Sequence, residues 1–459
     1  MTLWTAAEAA AATGGEARGN WAVTGFGIDS RAMEPGHMFV ALTAARDGHD
    51  FVRAALDAGA AAALVSRIPK GCEDAPLLLV PDVQAALEDL GRAGRARAQA
   101  VVIAVTGSVG KTSTKEMLRH CLAAQGKTHA AIKSYNNHWG VPLTLAAIPP
   151  DAAYAVVEIG MNHPGEIAPL AAMAQPQVAM VTTVAPVHLE AFEDGIVGIA
   201  REKASIFSGL LDGGAAIWNA DVETAPILAE GGTVSFGSND ADWVISTVNA
   251  AADATTCAAA TPLGPMTFRI GAPGAHFAMN ALAVLAACHA AGADVARAAM
   301  ALSDWAPPEG RGRRHAVRLS PDAPAVDLID DAYNANPASV GAALDLLAAT
   351  PIPAKARRIA ILGDMKELGP TGPDLHAGLA EHGAIADLHQ IHTIGPLMHH
   401  LHDALPADRR GLHTTTADAL APRLKTLVQP GDAVLVKGSL SMKMAQLVAG
   451  LRALGAPEE

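Results

Sequence analysis

The segment from Gly107 to Ser113, which reads GSVGKTS, combines residue types suited to holding phosphate. Backbone N–H groups from Gly107, Ser108, Val109 and Gly110 can surround a phosphate, because glycine lets the backbone approach closely. Lys111 can reach the β and γ oxygens of a nucleotide, and the Thr112 hydroxyl can ligate Mg²⁺. Val105 stands where the common pattern has its first glycine. The segment predicts a loop for ATP phosphates; the alternative is an ordinary strand-to-helix turn.

Three more side chains could serve a metal beside that loop. Glu158 and His188 each follow an apolar run and would lie at the carboxyl end of a parallel strand, where open α/β sheets place ligand groups. Taken alone, each is more often structural. Lys203 lies in the apolar stripe of a helical segment, 193–208. Its ammonium either reaches solvent along that stripe or is neutralised or chemically altered near the metal.

Strand-like and helix-like segments alternate along the chain and predict an α/β fold. We expect three domains, residues 1–98, 99–310 and 311–459: a small N-terminal α/β substrate domain, a central parallel sheet with the phosphate loop, and a C-terminal Rossmann-like α/β domain. The segment 305–315, WAPPEGRGRRH, is predicted to be the linker before the third domain. Predicted strands are 38–42, 77–80, 101–105, 155–159, 178–184, 326–329, 358–362 and 433–436, and residues 87–98 are predicted to be helical.

Composition excludes several classes of protein. The 459 residues carry 33 basic and 46 acidic side chains, a formal charge of −13, which argues against nucleic acid as a partner. No apolar run reaches the roughly 20 residues of a membrane span, and the N-terminus lacks the basic start of a signal peptide. The four cysteines are far apart and are expected to be buried apolar residues. We expect a cytoplasmic monomer without membrane insertion.

Several motifs coincide along the chain: DSRAMEPGHMFVALTAARDGHDF, TGSVGKTST, SYNNHWGVPLTL, VVEIGMNHPGEI, DDAYNANP, ILGDMKELG and VLVKGS. Together they make the sequence similar to the Mur ligases, the peptide-bond-forming enzymes of bacterial cell-wall precursor synthesis. The resemblance spans essentially the whole chain. It implies an ATP- and Mg²⁺-dependent enzyme that joins D-alanyl-D-alanine to UDP-N-acetylmuramoyl-tripeptide through an acyl phosphate.

The resemblance also implies roles for individual residues. Thr112 and Glu158 would hold one Mg²⁺, and His188 with a carbamylated Lys203 would help to hold a second. Lys111, Lys437 and either Arg311 or Arg313 would assist catalysis. The segment GRGRR repeats the family's GR pattern, so the choice between the two arginines stays open. The other implied contacts are His276, Asn280, Tyr333, Asn334 and Asn336 for ATP; Ser30, Arg31, Asp47, Gly48 and His49 for the uridine substrate; and Asn136, Asn137 and Ser439 for the substrates near the peptide end.

Two alternatives stay open at this point. A folylpolyglutamate synthase would share the nucleotide fold but add glutamate to a folate. A non-catalytic nucleotide switch would use the phosphate loop as a sensor, and would leave Glu158, His188, Lys203 and Lys437 without a common purpose.

Overall fold

The computed structural model describes residues 1–131, 133–251 and 253–455. The N-terminal unit is a small α/β domain. Its strands are β1 (Trp4–Thr5), β2 (Glu16–Arg18), β3 (Ala22–Val23), β4 (Gly25–Gly27), β5 (His37–Val40), β6 (Ala62–Val65) and β7 (Leu77–Leu79), and its helices are α1 (Ala6–Thr13), α2 (Val52–Asp57) and α3 (Val83–Arg97). The main sheet has the order β2-β7-β6-β5-β4. The predicted helix at 87–98 begins earlier because Asp82 caps it by accepting a hydrogen bond from the Ala85 N–H.

The central unit is built on a nine-stranded sheet. Its strands are β8 (Val101–Thr106), β9 (Thr128–Ala130), β10 (Tyr154–Glu158), β11 (Val178–Val181), β12 (Ala215–Asn219), β13 (Val234–Gly237), β14 (Trp243–Ala250), β15 (Thr255–Thr261) and β16 (Gly264–Ile270). Its helices are α4 (Lys111–Ala123), α5 (Gly140–Ala146), α6 (Ile167–Ala174), α7 (Gly195–Ala204), α8 (Ala225–Ala229), α9 (Ala275–Ala290) and α10 (Val295–Leu302).

The order of the central sheet is β16-β15-β14-β13-β12-β11-β8-β10-β9. Pairing is parallel from β9 to β14 and antiparallel at β15 and β16. Apolar residues on both faces of β8 and its neighbours are buried, as the continuous apolar runs predict for a parallel sheet covered by helices. The predicted strand 178–184 ends early, at Val181, because the backbone beyond it holds the phosphate loop: the Ser108 N–H donates to the Thr183 carbonyl.

The third unit has a six-stranded sheet of order β17-β18-β22-β19-β20-β21, with β17 antiparallel at one edge. Its strands are β17 (Arg313–Val317), β18 (Val326–Asp331), β19 (Arg358–Gly363), β20 (Gln390–Ile394), β21 (Arg410–Thr414) and β22 (Ala433–Lys437), and its helices are α11 (Pro337–Ala349), α12 (Gly372–Gly378), α13 (Met398–Ala404), α14 (Ala417–Leu420), α15 (Leu424–Leu427) and α16 (Ala445–Arg452). Helices pack apolar faces on both sides of the sheet, so the predicted Rossmann-like architecture is confirmed.

The three-domain α/β fold is thus as predicted, while the boundaries 98/99 and 310/311 stay a prediction. Residues 456–459 of the third predicted region lie outside the described residues. The predicted linker 305–315 is too long by three residues, because Arg313, Arg314 and His315 pair with β18 as the start of β17. That edge strand buries only Val317, so its sequence lacks the apolar alternation of a strand.

The first and central units meet through a close contact between α3 and α5. A Cβ added at Gly94 would lie 2.5 Å from the Leu145 carbonyl oxygen, and one at Gly91 would lie 2.9 Å from the Pro142 Cα. Leu143 and Ala146 of α5 belong to the same buried cluster as the core of the first unit. The two glycines therefore allow two helices from different units to share one core.

All four cysteines are buried and unpaired, as predicted. Within the described ranges, no helix is both long and apolar enough to cross a membrane.

Candidate active site

The order of the central sheet brings three strand ends together. β8 lies between β10 and β11, and the loop after β8 leads directly into α4. Gly107 has φ +151°, and a Cβ there would lie 2.0 Å from the Thr182 Oγ1; Gly110 has φ +87°. Thr182, just after β11, anchors the loop, because its hydroxyl donates a hydrogen bond to the Val109 carbonyl at 2.6 Å. The loop therefore needs glycine at both positions, and its curvature suits an anion.

Lys111 and Thr112 begin α4 at this loop. The Lys111 ammonium donates to the Gly107 carbonyl oxygen at 2.6 Å and so lies across the loop. Desolvation lowers the pKa of Lys111, while nearby Glu158 opposes that change and Arg311 adds to it. A bound phosphate would provide a negative charge that pairs with the Lys111 ammonium.

Glu158 ends β10 beside the loop and is 1% exposed. Its Oε1 accepts hydrogen bonds from Thr112 Oγ1 at 3.2 Å and from Asn136 Nδ2 at 2.8 Å. Its Oε2 is buried and has no hydrogen-bond partner among the described residues. A buried carboxylate oxygen left unpaired is costly, and a hydroxyl next to a carboxylate is a donor set that Mg²⁺ prefers. Glu158 and Thr112 therefore fit a divalent cation.

Lys203 lies near this group at the end of α7 and is 1% exposed, so the expectation that it could reach solvent is wrong. The helix face that carries it packs against the protein rather than lying at the surface. Burial lowers the pKa of Lys203 well below its ordinary value, and the positive charge of Lys111 lowers it further. Within the described part of the chain its ammonium makes no hydrogen bond or salt bridge. A lowered pKa favours the neutral amine, which is the form that reacts with carbon dioxide.

The third unit presents its own strand ends to the same space. Asp331 of β18 and Lys437 of β22 are register partners, and the Lys437 Nζ lies 2.6 Å from the Asp331 Oδ2. The same nitrogen donates to the Asn334 carbonyl at 2.9 Å. Ser439, just after β22, accepts a hydrogen bond from the Lys366 N–H at 2.9 Å. The DDAYNANP and VLVKGS segments are thereby joined at one edge of the sheet.

The two candidate arginines occupy different surroundings. The Arg311 guanidinium lies 4.0 Å from the centroid of the Tyr333 ring and donates to Ser134 Oγ at 3.4 Å. It lines the cleft together with the phosphate loop. Arg313 instead pairs with Glu309 at 3.6 Å and lines a separate cavity beside α4. The geometry thus favours Arg311 for the phosphates and does not support Arg313 as an ATP contact.

One cleft of about 770 Å³ collects most of the predicted residues. From the central unit it is lined by the phosphate loop from Ser108 to Ser113, by Glu158 and His188, and by Asn136, Asn137, His276 and Asn280. From the third unit it is lined by Tyr333, Asn334, Asn336, Lys437 and Ser439. Helix capping does not explain His276 or Asn280, because Gly274 is the N-cap of α9. Asn336 does cap α11, by accepting a hydrogen bond from the Ser339 N–H.

The predicted uridine residues do not line this cleft. Arg31 is paired with Asp29 at 2.7 Å and its side chain is 81% exposed. Ser30 lies in the same short 3₁₀ helix, Ser30–Ala32. Asp47 accepts hydrogen bonds from the His49 N–H and from the Arg67 guanidinium, and His49 is buried. Gly48 cannot carry a side chain, since a Cβ would lie 2.4 Å from the Leu42 carbonyl oxygen. Their role in substrate binding stays a prediction.

Family models and a curated relative match most of the chain. Family models match residues 22–94 (Mur ligase family, catalytic domain), 105–288 (Mur ligase middle domain) and 312–440 (Mur ligase, glutamate ligase domain). The UDP-N-acetylmuramoyl-tripeptide–D-alanyl-D-alanine ligase of Escherichia coli is 36% identical over 438 residues, which cover 93% of each chain.

The chain belongs to the Mur ligase family.

Two solved structures extend the comparison to the fold of this Mur ligase. A crystal structure of MurF from Acinetobacter baumannii has a TM-score of 0.83 and 30% identity, covering 98% of this chain and 99% of the other. MurF from Thermotoga maritima, solved in complex with ADP, has a TM-score of 0.77 and 25% identity, covering 94% and 98%. Both span all three domains.

Sequence reasoning missed several residues of the Mur ligase cleft. Ser134 shares a hydrogen bond with Thr112 at 3.0 Å and also contacts Arg311. Its position before the YNN motif was a usable signal. Glu367 lies 2.6 Å from the His188 Nδ1, and Lys366 lines the same wall. Both belong to the ILGDMKELG motif, but only the folded chain brings that motif opposite His188.

Proposed function

We propose that this Mur ligase is an ATP-dependent ligase that joins D-alanyl-D-alanine to UDP-N-acetylmuramoyl-tripeptide in the synthesis of peptidoglycan precursors. The observation that carries the proposal is the cleft in which the phosphate loop and Glu158 of the central domain face Arg311 and Lys437. Lys203 is buried and does not line that cleft. The names of the relatives with 30% identity or more supply the substrates, and the family supplies the use of ATP.

The chemistry follows from the need to activate a carboxylate. A carboxylate oxygen of the tripeptide attacks the γ-phosphorus of ATP, and ADP leaves. The amine of D-alanyl-D-alanine then attacks the carbonyl carbon of the acyl phosphate; the C–N bond forms, the C–O bond to phosphate breaks, and the nitrogen loses a proton. Lys111 and Arg311 would spread the charge of the phosphoryl group during the first step.

The donor sets of the cleft are consistent with two magnesium ions. We infer that Thr112 and Glu158 hold one, since the second oxygen of Glu158 is buried without a partner. His188 and a carbamate on Lys203 would hold the other; carbamylation replaces a buried amine with a carboxylate-like group. Bound Mg²⁺ would supply charge neutralisation at the transferring phosphoryl group. Asn136 and Asn137 would border the peptide end, and Ser30, Arg31, Asp47, Gly48 and His49 would bind the uridine nucleotide.

We further propose that the protein is a cytoplasmic monomer and that the third domain closes on its substrates as a rigid body. Closure would exclude water from the acyl phosphate. Small-angle scattering with an ATP analogue and the uridine substrate should show a more compact particle. An unchanged scattering curve would contradict the closure.

One assay tests the function against its alternatives. Phosphate release from Mg-ATP is measured with UDP-N-acetylmuramoyl-tripeptide and then with D-alanyl-D-alanine, L-glutamate or no acceptor. Release that depends on D-alanyl-D-alanine supports the ligase. In a parallel reaction with a folate in place of the uridine substrate, release that depends on L-glutamate would favour a folylpolyglutamate synthase. Release that ignores both acceptors would favour a nucleotide switch.

A further inference from the structure

Three side chains of metal-ligating type meet at the start of the third domain, outside the cleft described above. They are Glu309 in the predicted linker, His315 on β17 and Asp330 on β18. One ligand atom of each residue lies within 4.8 Å of the ligand atoms of the other two. Within the described ranges of the chain, no other set of three or more His, Cys, Asp and Glu side chains meets this condition. The proposed ligase chemistry uses none of the three.

Strand pairing places two of these side chains on one face of the sheet. In the antiparallel pair of β17 and β18, Arg313 lies opposite Asp330, and His315 is two residues further along β17. Because successive side chains of a strand point to opposite faces, His315 and Asp330 are diagonal neighbours on the same face. Asp331 points to the other face and lines the phosphate cleft. The cluster and the cleft therefore lie on opposite faces of β18.

The backbone of the linker holds Glu309 beside this face. The Gly310 N–H donates to the Asp330 Oδ2 at 2.8 Å, and the Gly312 N–H donates to the Asp330 carbonyl at 2.8 Å. These two bonds fix the chain that follows Glu309 to β18. The position of the Glu309 carboxylate is thus set by the same residue, Asp330, that completes the cluster.

The two carboxylate oxygens of Glu309 face different groups. Its Oε1 lies 3.6 Å from the Arg313 Nε and 3.9 Å from the Arg452 guanidinium. Its Oε2 lies 3.3 Å from the His315 Nε2. One oxygen is therefore paired with arginines at the surface, while the other is directed at the imidazole.

The contact of Glu309 with His315 has the spacing of two ligands on one metal ion. The His315 Nε2 is buried and has no hydrogen-bond partner within the described part of the chain, although the Glu309 Oε2 is 3.3 Å away. Two ligands of a tetrahedral Zn²⁺ with bonds of about 2.0–2.2 Å lie roughly 3.3–3.6 Å apart. A buried imidazole nitrogen without a partner is costly. A cation between the two atoms would satisfy both.

Asp330 offers the third oxygen from a buried position. The residue is 5% exposed, and burial raises the pKa of its carboxyl, an effect that backbone hydrogen bonds oppose and nearby Glu309 increases. Its oxygens accept the N–H groups of Gly310 and Ala332, at 2.8 and 3.3 Å. A carboxylate has about four lone-pair sites, so a metal bond is still available. A shared cation would relieve the repulsion between the two neighbouring carboxylates.

We propose that Glu309, His315 and Asp330 bind one Zn²⁺, which ties the linker to the edge of the third-domain sheet. One imidazole and two carboxylates suit Zn²⁺, whereas Mg²⁺ prefers oxygen ligands in octahedral geometry and competes poorly for such a set. Three protein ligands leave a fourth position for water. Glu309 also lines the cavity of about 300 Å³ beside α4, which gives the ion a path from solvent. The site is independent of the ligase function proposed above.

Zinc binding to the full-length protein tests the site. The protein is stripped of metal, supplied with excess Mg²⁺ and titrated with Zn²⁺ in competition with a chromophoric chelator. The wild type should bind one Zn²⁺ per chain, and Co²⁺ in its place should give the visible absorption bands of a tetrahedral site. Glu309→Gln and His315→Gln should each weaken zinc binding roughly 10-fold or more and lose the cobalt bands, since even groups that only orient metal ligands contribute that much. Glu309 is exposed, so its variant keeps the test valid if His315→Gln fails to fold.

Two matched variants locate the ion. His399→Gln removes an exposed imidazole of α13, whose ring centroid lies 5.1 Å from that of His413 and which is the obvious place for adventitious zinc. His188→Gln removes the imidazole of the cleft. Both variants should keep the zinc equivalent and the cobalt bands of the wild type. A wild type that binds no Zn²⁺ in excess Mg²⁺, undiminished binding in Glu309→Gln and His315→Gln, or a loss confined to His399→Gln or His188→Gln would overturn the assignment.

Discussion

Replacing Lys203 by alanine tests the role of a buried amine that has no partner. The residue is 1% exposed, and its pKa is lowered well below the ordinary value by burial and by Lys111. A charged, unpaired ammonium at this place would cost several kcal/mol, so a purely structural role for the charge is unfavourable. As a carbamate, the same side chain would be an anion beside Lys111 and could help to hold a metal.

The expected loss of kcat in Lys203→Ala follows from the proposed role of Lys203 in stabilising charge. Loss of one group that stabilises charge in the transition state costs about 10²- to 10³-fold in kcat, or about 2.7–4 kcal/mol. We therefore expect Lys203→Ala to lose at least that much turnover in the phosphate-release assay. Formate, acetate or high bicarbonate should restore part of the activity, because the alanine leaves space for a small carboxylate.

A matched variant separates carboxylate rescue from a general salt effect. Lys203→Met removes the amine but fills the same space, so it should be as inactive as the alanine variant and should not respond to formate. In the wild type, ¹³C-labelled bicarbonate should give a carbamate NMR signal that both variants lack. Full activity of Lys203→Ala, or equal rescue of both variants, would refute the reasoning.

Three further predictions follow from contacts in the cleft and the core. Glu158→Gln should reduce Mg-dependent turnover by about 10²-fold or more while nucleotide binding without Mg²⁺, measured by calorimetry, stays close to wild type; equal loss of binding in both conditions would contradict a metal role. Arg311→Lys should lose about 10-fold in kcat because the planar stack and its hydrogen bond cannot be replaced, whereas Arg313→Lys should be near wild type; the reverse order would be decisive against the assignment. Gly94→Ala should destabilise the protein by about 1–3 kcal/mol in chemical denaturation, because its Cβ would meet backbone, whereas Gly378→Ala, which meets nothing within 4 Å, should not.

Local patterns predicted the main elements that carry the cleft residues. The strand before the phosphate loop, predicted as 101–105, is Val101–Thr106, and the helix after it begins at Lys111. Glu158 lies where the end of a parallel strand was expected, beside that loop. Such predictions succeed because strand, turn and helix propensities depend on neighbouring residues, and because parallel strands bring their carboxyl ends to one edge.

Features that depend on tertiary packing could not be predicted. A stripe of apolar residues does not reveal whether its helix face meets solvent or another layer, so Lys203 had two open interpretations. Arg311 and Arg313 are two residues apart in the same GRGRR segment, so the sequence does not show that Arg311 lines the cleft and Arg313 lines a separate cavity. The contact of His188 with Glu367 joins residues from two domains, and no local pattern carries that information.

The shared core of α3 and α5 bears on how the protein can be divided for experiments. Because Leu143 and Ala146 complete the interior of the first domain, a fragment ending near residue 98 would lack part of its own interior. The indole N–H of Trp4 would also lose its acceptor, the Ala146 carbonyl. Excision of the first domain for separate expression should therefore give an aggregating fragment, and a stable truncation should retain residues through α5.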